Sequence, residues 1–243
     1  GIPCKKEGTG KRCRAFFGLR TRQNIDNKKL KCSNGGACAP FRRITIYVTK
    51  NMEKMGRTST AKHDLLAEVC MAAKYEGDSL KHYSEKLNVT YTDSPSQLCT
   101  ELARSFADIG DIVRGRDLYS GNKKKKQTER EKLEDNLRKI FGKIHNGLDG
   151  KTLQERYNDP KGDFFQLRED WWTANRETVW KALTCKAEGA YFRPTCSDER
   201  GEAQAKNNCR CKKNDGKDDT DQVPTYFDYV PQYLRWFEEW AED

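Results

Sequence analysis

Three histidines and one glycine-rich segment are the residues of this chain whose types could support catalysis. His63, His82 and His145 lie far apart in sequence, and none belongs to an HExxH zinc motif. The segment GTGKRC at residues 8–13 contains two glycines and a lysine but lacks the spacing of a phosphate-binding P-loop. No GxSxG motif is present either. We therefore expect three surface histidines, no enzymatic activity and no cofactor.

An acidic stretch near the C-terminal end has the composition of a metal-binding loop. It contains Asp215, Asp218, Asp219 and Asp221. The glycine and the terminal glutamate of an EF-hand are out of place, so the oxygen ligands that calcium needs are not correctly spaced. We expect a solvated loop and no metal site.

Ten cysteines in 243 residues indicate disulfide chemistry. Their number is even, and no CxxC pair occurs, so the usual zinc and thioredoxin spacings are missing. The sequence therefore predicts an oxidising compartment, although the pairing of the cysteines does not follow from their positions. The predicted disulfide cysteines are Cys4, Cys13, Cys32, Cys38, Cys70, Cys99, Cys185, Cys196, Cys209 and Cys211.

The charge is unevenly distributed along the chain. Residues 1–60 carry 15 Lys and Arg against 3 Asp and Glu, whereas residues 213–243 carry 3 against 9. A basic end favours a polyanionic partner such as nucleic acid, an anionic membrane or a sulfated sugar. Because disulfides argue against an intracellular nucleic-acid role, we expect a polyanion of the cell surface.

Two basic clusters are the candidate binding residues. Four lysines at the start of a predicted helix oppose the helix macrodipole, which suggests that their charge has another use. For these four lysines the alternative interpretation is a solvated helix start. For the second cluster it is general solubility. The candidates are Lys123, Lys124, Lys125, Lys126 and Arg130, with Lys132 behind them, in one cluster, and Lys11, Arg12, Arg14, Arg20, Arg22, Lys28, Lys29 and Lys31 in the other.

The elements that must position these residues are mainly helical. Residues 1–60 are rich in cysteine and glycine, and only RRITIYVT alternates like a strand, so an irregular, disulfide-bonded region is expected. Apolar residues at helical spacing follow from about Ser59, and three or four long helices with separate apolar stripes predict a helical bundle. The apolar stripes are Leu65, Leu66, Val69, Cys70, Ala73 and Leu80; Leu98, Leu102, Phe106, Ile109 and Val113; Leu133, Leu137, Ile140, Phe141 and Ile144; and Phe164, Leu167, Trp171, Thr178 and Ala182.

Aromatic residues are concentrated in two places. Trp171, Trp172 and Trp180 could form a sugar-stacking platform, but their helical spacing favours the core. Residues 185–222 are polar and predict a disulfide-clamped loop, after which Pro231 is suited to the first turn of a final helix. Tyr229, Tyr233, Trp236 or Phe237, and Trp240 would share one face of that helix.

The sequence has no apolar run long enough for a membrane span and no signal peptide. Disulfides without a signal suggest a piece of a longer extracellular protein. Asn88-Val89-Thr90 is a glycosylation sequon.

Three long motifs carry a family resemblance. ARSFADIGDIVRGRDLY, DWWTANRETVWKALTC and VPTYFDYVPQYLRWFEEWAED resemble the Duffy-binding-like domains of malaria parasites, and most closely their alpha class at the head of Plasmodium falciparum erythrocyte membrane protein one. The resemblance implies an irregular disulfide-bonded subdomain at residues 1–60 and a helical bundle at 61–222. Residues 223–243 would be the first helix of a third, truncated subdomain.

The resemblance also implies an adhesion function on the surface of the infected red blood cell. Its partners would be host cell-surface receptors: heparan sulfate or another sulfated glycan, complement receptor, a red-cell glycoprotein or a blood-group sugar. The same expectation includes rosetting, antigenic variation, recognition by host antibodies and contacts with neighbouring domains of the parent protein. The alternative is a structural, antigenically variable head domain that binds little itself.

Overall fold

A computed structural model of the chain describes residues 60–88, 97–116, 129–188, 195–198, 201–203, 205, 208–212 and 222–235. Six α-helices, a two-stranded hairpin and one 3₁₀ turn lie within these residues. The helices are α1 (Ala61–Asn88), α2 (Gln97–Arg114), α3 (Glu129–Asn146), α4 (Lys151–Arg156), α5 (Phe165–Leu183) and α6 (Gln232–Arg235). The strands are β1 (Cys196–Asp198) and β2 (Gly201–Ala203), and the 3₁₀ turn is Phe227–Tyr229.

Helix α5 lies at the centre of the bundle and packs against α1, α2 and α3. The ring of Phe106 on α2 lies 5.1 Å from the rings of both Trp172 and Trp180 on α5. All three side chains are fully buried. Large aromatic groups of this kind supply the apolar area that a chain with only 35% hydrophobic residues needs for a core.

The end of α2 is fixed by a glycine. Gly115 adopts a φ of 74°, which L-residues with a side chain rarely adopt. The N–H of Arg116 donates to the carbonyl of Asp111, and the N–H of Gly115 donates to that of Ile112. This pair of bonds is a Schellman motif, which satisfies the last carbonyl groups of the helix and stops it.

The predicted bundle is confirmed. The α2 and α3 stripes are buried throughout, and the α1 stripe is buried except for Leu66 and Leu80, which pack partly buried against the core. Trp171, Trp172 and Trp180 belong to the core as predicted. The α5 stripe is different, because the buried face of α5 includes two arginines instead of Thr178 and Ala182. Arg168 donates hydrogen bonds to both carboxylate oxygens of Glu134 on α3, and Arg176 pairs with Asp228, as described below.

Three elements differ from the predictions. Helix α4 was not predicted, and none of its residues is buried. The polar loop predicted at residues 185–222 contains the antiparallel β1–β2 hairpin, in which Cys196 lies opposite Ala203. The final helix begins at Gln232, directly after Pro231, and Tyr229 precedes it in the 3₁₀ turn. Tyr229 therefore lies outside the helix whose aromatic face it was predicted to share, and its side chain is 41% exposed.

Several expectations lie outside the described residues. These are the strand in RRITIYVT, residues 1–59 as a whole, and the aromatic residues after Arg235. Asn88 ends α1, but its side chain and the rest of the sequon also lie outside them. The boundaries between the three expected subdomains, at residues 61 and 223, remain predictions. None of the described helices combines the length and the apolar character needed to cross a bilayer.

Candidate functional site

A buried ionic cluster holds the segment 222–235 against the bundle. Asp228 accepts a hydrogen bond from Trp172 Nε1 at 2.9 Å and two from Arg176, one at each carboxylate oxygen. Arg176 Nη2 also donates to the carbonyl of Thr225 at 2.8 Å. Bidentate, charge-assisted bonds of this kind fix both partners in orientation. The segment after residue 222 is therefore positioned by charge as well as by apolar packing.

A second group of charges extends the cluster to α2 and α6. Arg235 donates to Asp111 Oδ2 at 2.6 Å and to Asp108 Oδ1 at 3.1 Å. Arg114 donates to Asp111 Oδ1 at 3.1 Å and to the main-chain carbonyl of Asp228. Burial raises the pKa of the Asp111 carboxyl, although the nearby Arg235 and Arg114 oppose this effect. These groups are paired with one another, so their arrangement indicates a structural role and not acid–base catalysis.

The outward face of α3 carries three of the lysines that the structure describes. Lys132, Asn136, Lys139, Lys143 and Asn146 follow one another at intervals of four, three, four and three residues, which places them along one side of the helix. The apolar stripe of α3 occupies the opposite side and is buried. Lys132 and Lys139 are exposed, and neither forms an ion pair with a described carboxylate. At a rise of ~1.5 Å per residue, the three lysines extend over roughly 16 Å.

Most of the predicted binding residues lie outside the described part of the chain. Only Arg130 falls within a described helix, in the first turn of α3, and its side chain is not described. The others are Lys11, Arg12, Arg14, Arg20, Arg22, Lys28, Lys29, Lys31 and the four lysines at 123–126. Their role in binding therefore remains a prediction.

Sequence reasoning noted Lys132 but missed Lys139 and Lys143. The signal that could have found them is their spacing: residues i, i+7 and i+11 of a helix share a face. The three lysines follow the run Lys123–Lys126 in sequence and face away from the apolar stripe of the same helix. The face formed by Lys132, Asn136, Lys139, Lys143 and Asn146 is called the α3 basic face below.

Two disulfides lie within the described residues. Cys99 pairs with Cys209, 110 residues away, and Cys196 pairs with Cys211, 15 residues away. Cys185 is disulfide-bonded as well. Cys4, Cys13, Cys32 and Cys38 lie outside the described residues.

Cys70 corrects the expectation that all ten cysteines pair. It is a free thiol on the buried side of α1 and is 4% exposed. Burial raises the pKa of this thiol to about 12. It behaves as a small apolar core residue, because the thiol form is strongly favoured there.

The histidines and acidic residues that the structure describes do not come together as a metal site. His63 and His82 are exposed, as predicted, whereas His145 is half-buried and its Nε2 lies 2.8 Å from the carbonyl oxygen of Gln154. Among the described residues, no group of three or more His, Cys, Asp and Glu side chains could hold a metal ion. The acidic stretch at 215–221 lies outside them.

The chain is similar to known proteins over most of its length. The model of the Duffy binding domain family matches residues 36–235. The NTS-DBL1(alpha-1) domain of the Plasmodium falciparum membrane protein 1 (PfEMP1) from the varO strain is 39% identical, with a TM-score of 0.60 over 87% of this chain and 44% of that one. The ICAM-1-binding DBLbeta domain of PfEMP1 IT4var13 is 32% identical, with a TM-score of 0.52 over 74% of this chain and 36% of that one.

A curated relative is more distant. The Duffy receptor beta form of Plasmodium knowlesi is 23% identical over 219 residues, which is 85% of this chain and 14% of that protein. The chain thus spans less than half the length of each of these relatives.

Proposed function

The chain belongs to the Duffy binding domain family, and from that premise we propose that it is a non-enzymatic adhesion domain for a host cell-surface receptor. Its ligand is a sulfated glycan of the heparan sulfate type, carried by a red cell or an endothelial cell. The domain acts on the surface of the infected red blood cell as part of a longer variant antigen, in rosetting or cytoadherence.

The α3 basic face is the observation that carries this proposal. Its lysines follow one side of a helix, and two of them have no acidic partner among the described residues. A linear array of cations suits a linear polyanion, because each lysine meets a successive anionic group. The run Lys123–Lys126 precedes α3 in the sequence and adds four positive charges next to it in the chain. The net charge of +9 supports long-range attraction of such a ligand.

The alternative ligand is a protein. The related DBLbeta domain is described as ICAM-1-binding, so a member of this family can recognise a protein receptor. Salt dependence separates the two cases. Binding of a polyanion by lysines releases counterions and weakens steeply with salt, whereas a largely apolar protein interface responds much less.

Heparin chromatography and titration of heparin at several salt concentrations test the proposal. The parent should elute well above physiological ionic strength. A Lys132→Glu/Lys139→Glu variant should elute earlier, and its plot of log affinity against log salt should lose about one unit of slope for each lost contact. Variants with Lys123–Lys126 changed to Glu, or Arg12, Arg14, Arg20 and Arg22 changed to Glu, test the other predicted residues.

The matched control is Lys62→Glu/Lys212→Glu. This variant changes the net charge by the same amount as Lys132→Glu/Lys139→Glu. Its two lysines are exposed and lie far from α3 in the sequence. If both double variants shift elution by the same amount, the effect is general charge and the α3 basic face is not the site. Elution of the parent near physiological salt would favour the structural head domain with little binding of its own. Circular dichroism of each variant confirms the helical fold.

A further inference from the structure

Cys185 forms a disulfide whose partner can be found by elimination. This cysteine lies two residues after the end of α5 and is disulfide-bonded. The four cysteines of the two described disulfides are already paired with one another, and Cys70 is a free thiol. The other cysteines of the chain all lie in its first 38 residues, which we call the N-terminal segment. They are Cys4, Cys13, Cys32 and Cys38.

We infer that a disulfide between Cys185 and one of these four cysteines fastens the N-terminal segment to the end of α5. Two bonded cysteines have their Cα atoms about 4.4–6.8 Å apart. Part of the segment must therefore lie directly beside the turn that follows α5. This surface is an attachment site within the chain, and the inference stands independently of the proposed adhesion function.

The surface around Cys185 is suited to a basic segment. Lys81 of α1 pairs with Glu188, and Lys186 pairs with Asp78 of α1, each at 3.3 Å. Because these carboxylates compensate both lysines, the lysines repel an approaching cation less. The C-terminal end of a helix also carries partial negative charge, which favours cations. The N-terminal segment supplies such cations, since it contains ten Lys and Arg against two Asp and Glu.

The total number of cysteines has a consequence for the same segment. Of the ten, four form the described disulfides, one is the free thiol Cys70, and Cys185 takes a partner from the segment. Three segment cysteines then remain, and an odd number cannot all pair within one chain. The N-terminal segment therefore contains at least one further thiol without a partner in the chain, which the even total alone did not indicate.

Attachment at this place holds part of the segment away from α3. Helix α3 contacts the first half of α5, where Glu134 accepts hydrogen bonds from Arg168 and Phe141 lies against Trp171. Cys185 follows Arg168 by 17 residues, which corresponds to roughly 25 Å at a helical rise of ~1.5 Å per residue. The attached part of the segment and the α3 basic face therefore lie on different parts of the molecule.

Cyanogen bromide cleavage of the full chain, after free thiols have been blocked with N-ethylmaleimide in denaturant, tests the inference. The reagent cuts after methionine, and the methionines of the chain are Met52, Met55 and Met71. Fragment 1–52 contains the whole N-terminal segment, and fragment 72–243 contains Cys185. These two fragments of the parent should migrate as one species without reductant and separate when dithiothreitol is added. Separation without reductant would overturn the inference.

Cys185→Ser identifies the cysteine that holds the segment. This substitution removes the sulfur atom at the end of α5, so the two fragments should separate completely without reductant. If they stayed joined, another cysteine of fragment 72–243 would hold the segment and the inference would be wrong. Cys70→Ala is the matched control, because Cys70 is a free thiol and its loss should leave the fragments joined. The result for the parent decides the question even if Cys185→Ser does not fold.

Tryptic mapping of the unreduced parent identifies the partner cysteine. Trypsin releases Cys185 in the peptide 182–186, which should be linked to peptide 1–5, 13–14 or 32–42. Cys70 and at least one cysteine of the N-terminal segment should carry the N-ethylmaleimide label. Four segment cysteines bonded only to one another would contradict the inference, because none would then remain for Cys185.

Discussion

The guanidinium of Arg176 donates one hydrogen bond to each carboxylate oxygen of Asp228, both at 2.9 Å. The two residues lie 52 positions apart in sequence, so this pair fixes the 3₁₀ turn to the middle of α5. Trp172 adds a third bond to the same carboxylate. Because Asp228 is buried, its charge is tolerated only with these partners.

Loss of the Asp228 charge should be strongly destabilising. Asp228→Asn keeps the shape of the side chain but leaves the buried guanidinium of Arg176 without its counter-charge. We expect the free energy of unfolding to fall by about 3–5 kcal/mol. Urea denaturation followed by tryptophan fluorescence measures the change.

Asp170→Asn is the matched control for this substitution. Asp170 accepts a hydrogen bond from Tyr157 at 2.6 Å and pairs with Arg156, but its side chain is 45% exposed. An exposed pair contributes at most about 1 kcal/mol. If the two variants lost equal stability, the buried pair would not be the anchor of the 3₁₀ turn.

Arg176 and Asp228 also show which part of the fold could not be predicted from the sequence. The apolar stripes of α1, α2 and α3 could be predicted because burial leaves a helical period in the sequence. The buried arginines of α5 could not, because a periodic pattern assigns Arg168 and Arg176 to the solvent. Their burial depends on carboxylates far away in the sequence, such as Asp228, and nothing local indicates those partners.

The disulfides, too, could be predicted only in part from the sequence. The even count predicted disulfides, but the pairing of Cys99 with Cys209 joins residues that only the fold brings together. The free thiol of Cys70 was not predicted, since an apolar stripe and a disulfide both suit a cysteine.

The family and its alpha class were predicted from three motifs, and the matches confirm both. The α3 basic face was only partly predicted, because Lys139 and Lys143 were not recognised as part of it.

Gly77 is required by the close approach of α1 to the end of α5. A Cβ atom on Gly77 would lie 1.9 Å from the carbonyl oxygen of Leu183, and this oxygen belongs to the backbone and cannot rotate away. We expect Gly77→Ala to reduce the free energy of unfolding by about 1–3 kcal/mol or more, as overpacking does. Thermal and urea unfolding measure the loss.

Gly142 also lies inside a helix, but we expect Gly142→Ala to have the opposite effect on the free energy of unfolding. The nearest atom to a Cβ there is a Phe164 ring carbon at 3.5 Å, which is ordinary contact. Since alanine is favoured over glycine inside a helix by roughly 0.5–1 kcal/mol, this variant should be unchanged or more stable. A loss as large as that of Gly77→Ala would refute the explanation by close approach.

The thiol of Cys70 should be unreactive in the folded protein. With its pKa raised to about 12, only about one molecule in ten thousand carries the thiolate at pH ~8. Ellman's reagent should therefore label Cys70 only after urea unfolds the chain. Because other cysteines lie outside the described residues, the measured quantity is the difference between the parent and Cys70→Ala. Rapid labelling of the folded parent at this position would show that α1 opens locally.

Asp111 gives the stability of the protein a defined dependence on pH. Burial raises the pKa of this carboxyl above the ordinary value of 3.8, even though Arg235 and Arg114 favour the charged form. A carboxyl with a raised pKa binds its proton more tightly in the folded state than in the unfolded state. Its contribution to stability is therefore fully present below the unfolded pKa and is lost as pH rises through the folded pKa.

Comparison of the parent with Asp111→Asn tests the sign of this dependence. The free energies of unfolding of both proteins are measured in urea between pH ~4 and ~7. The advantage of the parent over the variant should be largest at the acid end and should decrease as pH rises, since the amide does not titrate. An advantage that grew with pH would mean that the arginines, which lie 2.6 and 3.1 Å from the carboxylate oxygens, outweigh burial. The pKa of Asp111 would then be lowered in the folded state, and the ionic cluster would be an attractive anchor at neutral pH.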